Sequence, residues 1–202
     1  MMAQGDQEFT PQQSLQLIES IINRAKDNFA ERGFMYLVWG WAVFILSLVQ
    51  FVLLHFYQYP KHYMVWMCSW LVLAYHVLYM RKKARTQTVR TYTDYIISYV
   101  WITFIIMLFL LGFLLGRLLG GDYFYHINPI LLALYGMPVF LTGIIMRFTP
   151  LIVGAVSCWV LSVVTTFIEI YDYQFLMLPV AMLVAWIIPG YLLKAKYNKQ
   201  NA

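Results

Sequence analysis

Apolar residues occur in six long runs along the chain, and polar residues are concentrated between these runs. Each run is close to the roughly 20 residues that an α-helix needs to cross a bilayer. Such runs are too long and too continuously apolar for the half-buried elements of a soluble domain. The pattern therefore predicts six membrane-spanning helices, over residues 34–56, 62–80, 95–119, 127–146, 151–170 and 175–193.

Composition supports a membrane protein, because 62% of the residues are hydrophobic and only 11% are charged. An ordinary soluble domain has roughly 25% charged residues. We therefore predict an all-α, polytopic bundle of six transmembrane helices over residues 34–193. Residues 1–33 are predicted to form a cytoplasmic amphipathic helical segment, and residues 194–202 a basic cytoplasmic tail. The first 33 residues show no signal peptide pattern, so the first span is expected to act as an uncleaved anchor.

Basic residues predict the orientation of the spans, because Lys and Arg near span ends stay on the cytoplasmic side. Of the 14 Lys and Arg residues, only Lys61 and Arg117 fall on the other side when both termini are placed inside. Both termini are thus predicted to be cytoplasmic. The net charge of +5 is then a topology signal, and no nucleic-acid partner is expected.

The segment before the first span has the features of a separate helix. Residues 10–13 fit a capping box with proline at the first helical position, and Arg32-Gly33 is typical of a helix end. Its apolar residues alternate at intervals of three and four, at Leu15, Ile18, Ile22, Ala25 and Phe29. This apolar seam is predicted to contact the membrane surface or the protein's own loops, or else a second copy or a partner protein.

Span three contains Gly112, Gly116 and Gly120, a row that removes side chains from one face of a helix. Such a face allows another helix to approach closely. The row is predicted to pack against a neighbouring helix within the six-helix bundle, and the alternative is a homodimer interface.

Two further patterns concern the arrangement of the spans. Residues 37–44 weakly resemble residues 133–140, which leaves open an inverted repeat of three plus three spans, as in several transporters. Pro138 and Pro189 lie within spans four and six and are expected to kink them locally.

Ionisable residues are scarce at membrane depth. Arg117 and Glu169 share a level near the outer ends of spans three and five, so an ion pair between them is predicted. The outer face also carries nitrogen and oxygen donors that could hold a divalent metal ion such as zinc, namely His55, His62, His126, Asp122, Glu169 and Asp172. Their spacing matches no metal motif, and ordinary interfacial residues are the alternative. No catalytic residue and no cofactor is predicted, since the chain has no hydrolase, metalloprotease or phosphate-loop motif.

Three stretches resemble a known family: residues 31–41 (ERGFMYLVWGW), 134–138 (LYGMP) and 148–154 (FTPLIVG). They are similar to a family of small uncharacterised multi-span proteins of Bacteroidota, and the resemblance covers most of the chain. It implies a bacterial inner membrane as the location, and it implies no functional residue.

The absence of recognisable chemistry in the sequence favours an accessory or regulatory membrane protein that acts through a partner and is not an enzyme. A small-solute or ion transporter is the first alternative, because it would use the proline-containing spans. A metal-dependent enzyme at the outer face is the second. A packed or a hollow bundle interior would distinguish the first two.

Overall fold

A computed structural model describes residues 11–85, 92–120 and 123–200 of the protein. No strand occurs among these residues. The helices are α1 (Pro11–His55), a 3₁₀ helix (His62–Cys68), α2 (Ser69–Ala84), α3 (Tyr92–Leu119), α4 (Tyr123–Ile145), α5 (Thr149–Thr166), α6 (Tyr171–Met182), a π-helical turn (Leu183–Ile187) and α7 (Ile188–Gln200).

Six helical segments of the described chain are long and apolar enough to cross a membrane. They are Gly33–His55, His62–Lys82, Tyr92–Leu119, Tyr125–Ile145, Thr149–Thr166 and Tyr171–Lys196. The predicted all-α, multi-pass bundle is confirmed, and each boundary differs from its predicted position by only a few residues.

The ends of the spans form two opposite faces of the bundle. We call one of them the terminal face. There α1 enters the bundle beside the end of α7, since a Cβ on Gly33 would lie 3.2 Å from the Lys194 amide nitrogen. The α4–α5 turn lies on this face too, because the Lys196 ammonium lies 5.6 Å from the Phe148 ring centroid. The distal face, at the other end, contains the end of α1 and the start of α6.

Helix α1 runs without interruption from Pro11 to His55, so the predicted helix end at Arg32-Gly33 is wrong. Gly33 does not terminate the helix, and its backbone is not left-handed. It allows close packing on the last span instead, because a Cβ there would lie 3.0 Å from the Gly190 carbonyl oxygen. The N-terminal segment and span one therefore form one helix, whose first turns precede the membrane-spanning part.

Within span one, α1 buries a single stripe at alternating intervals of three and four, formed by Gly33, Tyr36, Gly40, Val43, Ser47 and Gln50. The predicted seam ends at residue 29, four positions before this stripe begins. In sequence register, the seam thus continues the buried stripe along the same helix. The side chains of residues 11–32 lie outside the described part, so the predicted contacts of Leu15, Ile18, Ile22 and Phe29 stay predictions.

The core lies among four spans: α1, α4, α5 and the α6–α7 helix. Half of the span-four window and 56% of the span-six window are buried. The most deeply buried large side chains, with less than 2% exposed, include Leu132, Val139, Leu151, Met182 and Leu193. The centre of the bundle is thus filled by interdigitating apolar side chains.

Spans two and three lie at the periphery. None of the residues in their most apolar windows is buried. Helix α3 packs mainly against α4, and among its residues Ile97 is buried. Most of the α3 surface therefore faces away from the rest of the chain.

Prolines affect spans four and six differently. Helix α4 continues through Pro138 as an α-helix, whereas span six contains the π-helical turn Leu183–Ile187. This turn precedes Pro189, which has no N–H to donate to the Ala185 carbonyl. A widened turn is a common response to such a missing bond. The predicted local disturbance of span six is thus present, and it takes this form.

The packing of the two halves of the chain differs. Helix α4 packs extensively on the following span, α5, whereas α1 contacts the following span much less and packs mainly on α6 and α7. An inverted repeat would place the first two spans of each half in equivalent contact. The weak sequence similarity is therefore not accompanied by equivalent packing.

Candidate functional site: a polar cluster near the distal face

A chain of hydrogen bonds joins α1 to the 3₁₀ helix near the distal face. The Trp66 indole N–H donates to the Gln50 side-chain oxygen, and the Gln50 amide nitrogen lies 3.1 Å from His62 Nδ1. Gln50 is only 3% exposed. Since a buried amide is costly without partners, these two bonds stabilise the contact between spans one and two.

The direction of these bonds determines the protonation of His62. An indole N–H can only donate, so the side-chain oxygen of Gln50 is the acceptor, and its NH₂ group must point to His62. His62 Nδ1 then accepts with its lone pair, and the proton of the neutral ring is on Nε2. A protonated His62 would present an N–H to the Gln50 donor and break the chain.

The same rule applies to the second histidine of span two. Trp39 Nε1 donates to His76 Nδ1 over 3.2 Å, and His76 is half-buried between α1 and α2. Because the indole is a donor only, His76 is neutral with its proton on Nε2. Both histidines of this span therefore serve as acceptors that attach it to α1.

A second polar contact on the distal face joins α1 to α6. His55 Nδ1 lies 3.2 Å from the Asp172 carboxylate, and both side chains are about one-third exposed. The His55 ring also stacks on Phe51, with 5.2 Å between centroids, and lies 5.5 Å from the Tyr173 ring. At this exposure the pair contributes at most about 1 kcal/mol of stability.

The predicted metal site does not assemble. Among the described residues, no group of three His, Cys, Asp or Glu side chains is positioned to hold a metal ion. His126 and Glu169 are exposed, and Asp122 lies outside the described residues. His62 could not act as a ligand in this arrangement, since one ring nitrogen accepts from Gln50 and the other carries the proton. Of the proposed ligands, the structure brings His55 and Asp172 together.

The predicted ion pair between Arg117 and Glu169 is also wrong. Both residues are described, both are exposed, and their charged groups are not within ion-pairing distance. The helices explain this, because α3 packs mainly on α4 and does not pack on α5. A shared level along the bundle axis did not imply a shared side of the bundle.

The predicted packing of the glycine row within the bundle is wrong as well. A Cβ placed on Gly112, Gly116 or Gly120 would meet no described atom within 4 Å. Gly120 has another role, since its φ of +54° places it in the left-handed conformation that commonly ends a helix. Gly112 and Gly116 thus leave a side-chain-free strip on the outer surface of α3, which we call the α3 strip.

Other glycines make the close helix contacts. A Cβ on Gly154 of α5 would lie 2.6 Å from Ala185 Cα in the π-helical turn. A Cβ on Gly136 of α4 would overlap the Trp159 indole nitrogen, which donates to the Ala133 carbonyl. These isolated glycines form no row and were not predicted as contact points.

Gln50 and Trp66 were not predicted as site residues. A signal for Gln50 was present, because it is the one amide side chain between residues 34 and 56. Polar side chains inside spans commonly hydrogen-bond to a neighbouring helix.

No known protein family, no curated protein and no solved structure matches the chain. The geometry of the described residues is therefore the basis for a functional assignment. This geometry consists of a filled core, polar contacts that join neighbouring helices, and an open lateral surface on α3.

Proposed function

We propose that the protein is an accessory or regulatory integral membrane protein that acts by binding another membrane protein through the outer surface of α3. In this proposal it resides in a bacterial inner membrane, with both termini in the cytoplasm, as the basic residues and the family resemblance imply. It acts through contact and carries out no reaction of its own.

The observation that carries this proposal is the contrast between the core and α3. The space between the four central spans is filled by side chains with almost no exposed surface, such as Val139 and Met182. The α3 strip, in contrast, leaves the backbone of a long apolar helix accessible from the side. Transmembrane helices associate through small residues because the backbones can then approach closely.

The polar groups of the spans support the same assignment. Gln50, Trp66 and His62 bond to one another, as do Trp39 and His76. They join neighbouring helices, whereas in an ion or proton pathway we would expect ionisable groups that face a water-filled space.

Site-specific photo-crosslinking in intact cells tests the proposal. A photoreactive amino acid at Phe113, which is 71% exposed and next to Gly112, should give an adduct of discrete mass. The matched control is Val160, which is 57% exposed. It lies on α5, a helix without extensive contact with α3. Mass spectrometry of the adduct identifies the partner.

The expected result is a protein adduct from Phe113 that is lost when Gly116→Leu covers the α3 strip, with only lipid adducts from Val160. Equal lipid labelling at both positions would contradict the proposal. An adduct with a second copy of the chain would show instead that α3 serves self-association.

The second candidate function is a small-solute or ion transporter. The π-helical turn in span six favours it, because such turns are frequent at functional sites. The indole N–H of Trp186 in this turn is also buried without a hydrogen-bond partner among the described residues. A transporter would have to open the core beside this turn, and accessibility of the buried Cys158 thiol tests that opening directly.

A further inference from the structure

The turn between α4 and α5 contains a backbone conformation that its sequence does not favour. Arg147 N donates to the Ile144 carbonyl over 3.0 Å, and Phe148 N donates to the Gly143 carbonyl over 2.9 Å. These two bonds are the Schellman pattern, in which one residue must be left-handed. That residue is Arg147, with a φ of +50°. Glycine usually occupies this position, because any side chain there is strained.

Two cations flank this turn on the terminal face. Arg147 is exposed, and the Lys196 ammonium lies 5.6 Å from the ring centroid of Phe148, the residue next to Arg147. No described carboxylate forms an ion pair with Arg147. Phe148 is only 7% exposed, so its ring is a fixed support beside the two charges.

The rest of this face is basic as well. Its exposed side chains include those of Arg81, Lys82, Arg85 and Lys194. Phosphate groups of anionic lipids lie at this level of a membrane, directly beside the ends of spans four, five and six.

We propose that Arg147 and Lys196 together bind the phosphate of an anionic lipid headgroup at the α4–α5 turn. The planar guanidinium matches two phosphate oxygens, and the lysine adds a point charge beside Phe148. Both residues are fixed to span ends, so the site lies where a headgroup is held and not where a soluble anion would enter.

The backbone strain at Arg147 supports the assignment of a ligand to this turn. A cation near the end of α4 also interacts well with the helix dipole, but any position in the last turn gives that benefit. It does not require an arginine in a left-handed conformation. The same strain occurs at Gln58, with a φ of +46°, so at Arg147 it indicates a ligand only together with the cations beside Phe148.

The test compares binding of phosphatidylglycerol and phosphatidylcholine to the purified full-length protein by native mass spectrometry and by the shift of Tm in mixed micelles. The variants are Arg147→Asn, which tolerates the left-handed conformation without charge, Lys196→Gln, and both together. Arg81→Gln, an exposed cation on the same face, is the matched control.

Each site substitution should lower the affinity for phosphatidylglycerol about fivefold, since one basic residue near an anionic surface contributes about that factor. The double variant should lose less than the product of the two factors, because both residues hold one phosphate. Arg81→Gln should leave the affinity for phosphatidylglycerol unchanged, and phosphatidylcholine should not bind to any variant.

Three outcomes would overturn the proposal. Unchanged phosphatidylglycerol binding by Arg147→Asn would show that Arg147 does not bind the lipid. An equal loss of affinity in Arg81→Gln would show that the lipid responds only to the overall surface charge. An equal Tm gain from inorganic phosphate would identify a soluble anion as the ligand. Arg147→Gly separates binding from folding, because it relieves the strain and should raise the Tm in phosphatidylcholine while it weakens phosphatidylglycerol binding as much as Arg147→Asn does.

Discussion

The contact between Gly154 and the π-helical turn makes a sharp prediction about stability. Gly154→Ala would place a Cβ 2.6 Å from Ala185 Cα and 3.0 Å from the Val184 carbonyl oxygen. Both are backbone atoms, so no side chain can rotate away, and α5 must move away from span six. Overpacking of this kind costs about 1–3 kcal/mol, with a rigid neighbour at the upper end.

Part of this cost is offset, since alanine is favoured over glycine in a helix interior by about 1 kcal/mol. The expected net loss is then about 2 kcal/mol, or about a 30-fold shift in the unfolding equilibrium. Gly116→Ala is the matched control, because the same chemical change meets no atom within 4 Å. It should leave the monomer's stability unchanged or raise it by up to about 1 kcal/mol.

The assay is unfolding by increasing SDS in mixed micelles, followed by far-ultraviolet circular dichroism, with light scattering to monitor the oligomeric state. The reasoning would be refuted if Gly154→Ala and Gly116→Ala had equal stability. A second check is Gly154→Ala combined with Ala185→Gly. It should not restore stability, because the nearest atom is the Cα and removal of the Ala185 methyl group leaves that atom in place.

Three further predictions concern the interior. Gln50→Leu should destabilise the fold by about 1–3 kcal/mol, because it leaves the Trp66 N–H and His62 Nδ1 without partners, and SDS unfolding should show an earlier transition. Acidification should destabilise the wild type more than this variant, since both require a neutral His76 but only the wild type requires a neutral His62. Cys158 is completely buried. In a Cys68→Ser variant, its thiol should therefore resist a small maleimide in the folded protein and react after denaturation. Reaction in native membranes would favour a transporter.

The spans themselves could be predicted from the sequence because length and apolar composition are sufficient to identify them. The faces of the spans could not. In a soluble protein the apolar stripe marks the core, but in lipid both the core side and the lipid side of a helix are apolar. Helix α3 illustrates this, since its glycine row was expected inside the bundle and lies on its outer surface.

The candidate site illustrates a related difficulty. Topology places residues at the same depth but does not place them on the same side of the bundle. His55 and Asp172 meet because α1 and α6 are neighbours, whereas Arg117 and Glu169, which were expected at one level, lie on helices without extensive contact. The break predicted at Gly33 failed for a different reason, since glycine serves both helix ends and close packing, and its sequence context looks similar in both roles.

The open surface of α3 and the basic α4–α5 turn lie on different helices and lead to experiments with independent outcomes. The absence of a protein adduct from Phe113 in the otherwise unchanged protein would refute the role of α3 as a docking surface without affecting lipid binding at Arg147. Failure of Arg147→Asn to reduce lipid binding would leave the lateral contact intact. If both results are positive, an anionic lipid at the end of α4 would stabilise the helix on which α3 mainly packs. The crosslinking yield from Phe113 could then be compared in anionic and neutral bilayers, with and without the Arg147→Asn and Lys196→Gln substitutions. A yield that depends on both the anionic lipid and these residues would show that the lipid controls binding at the α3 strip.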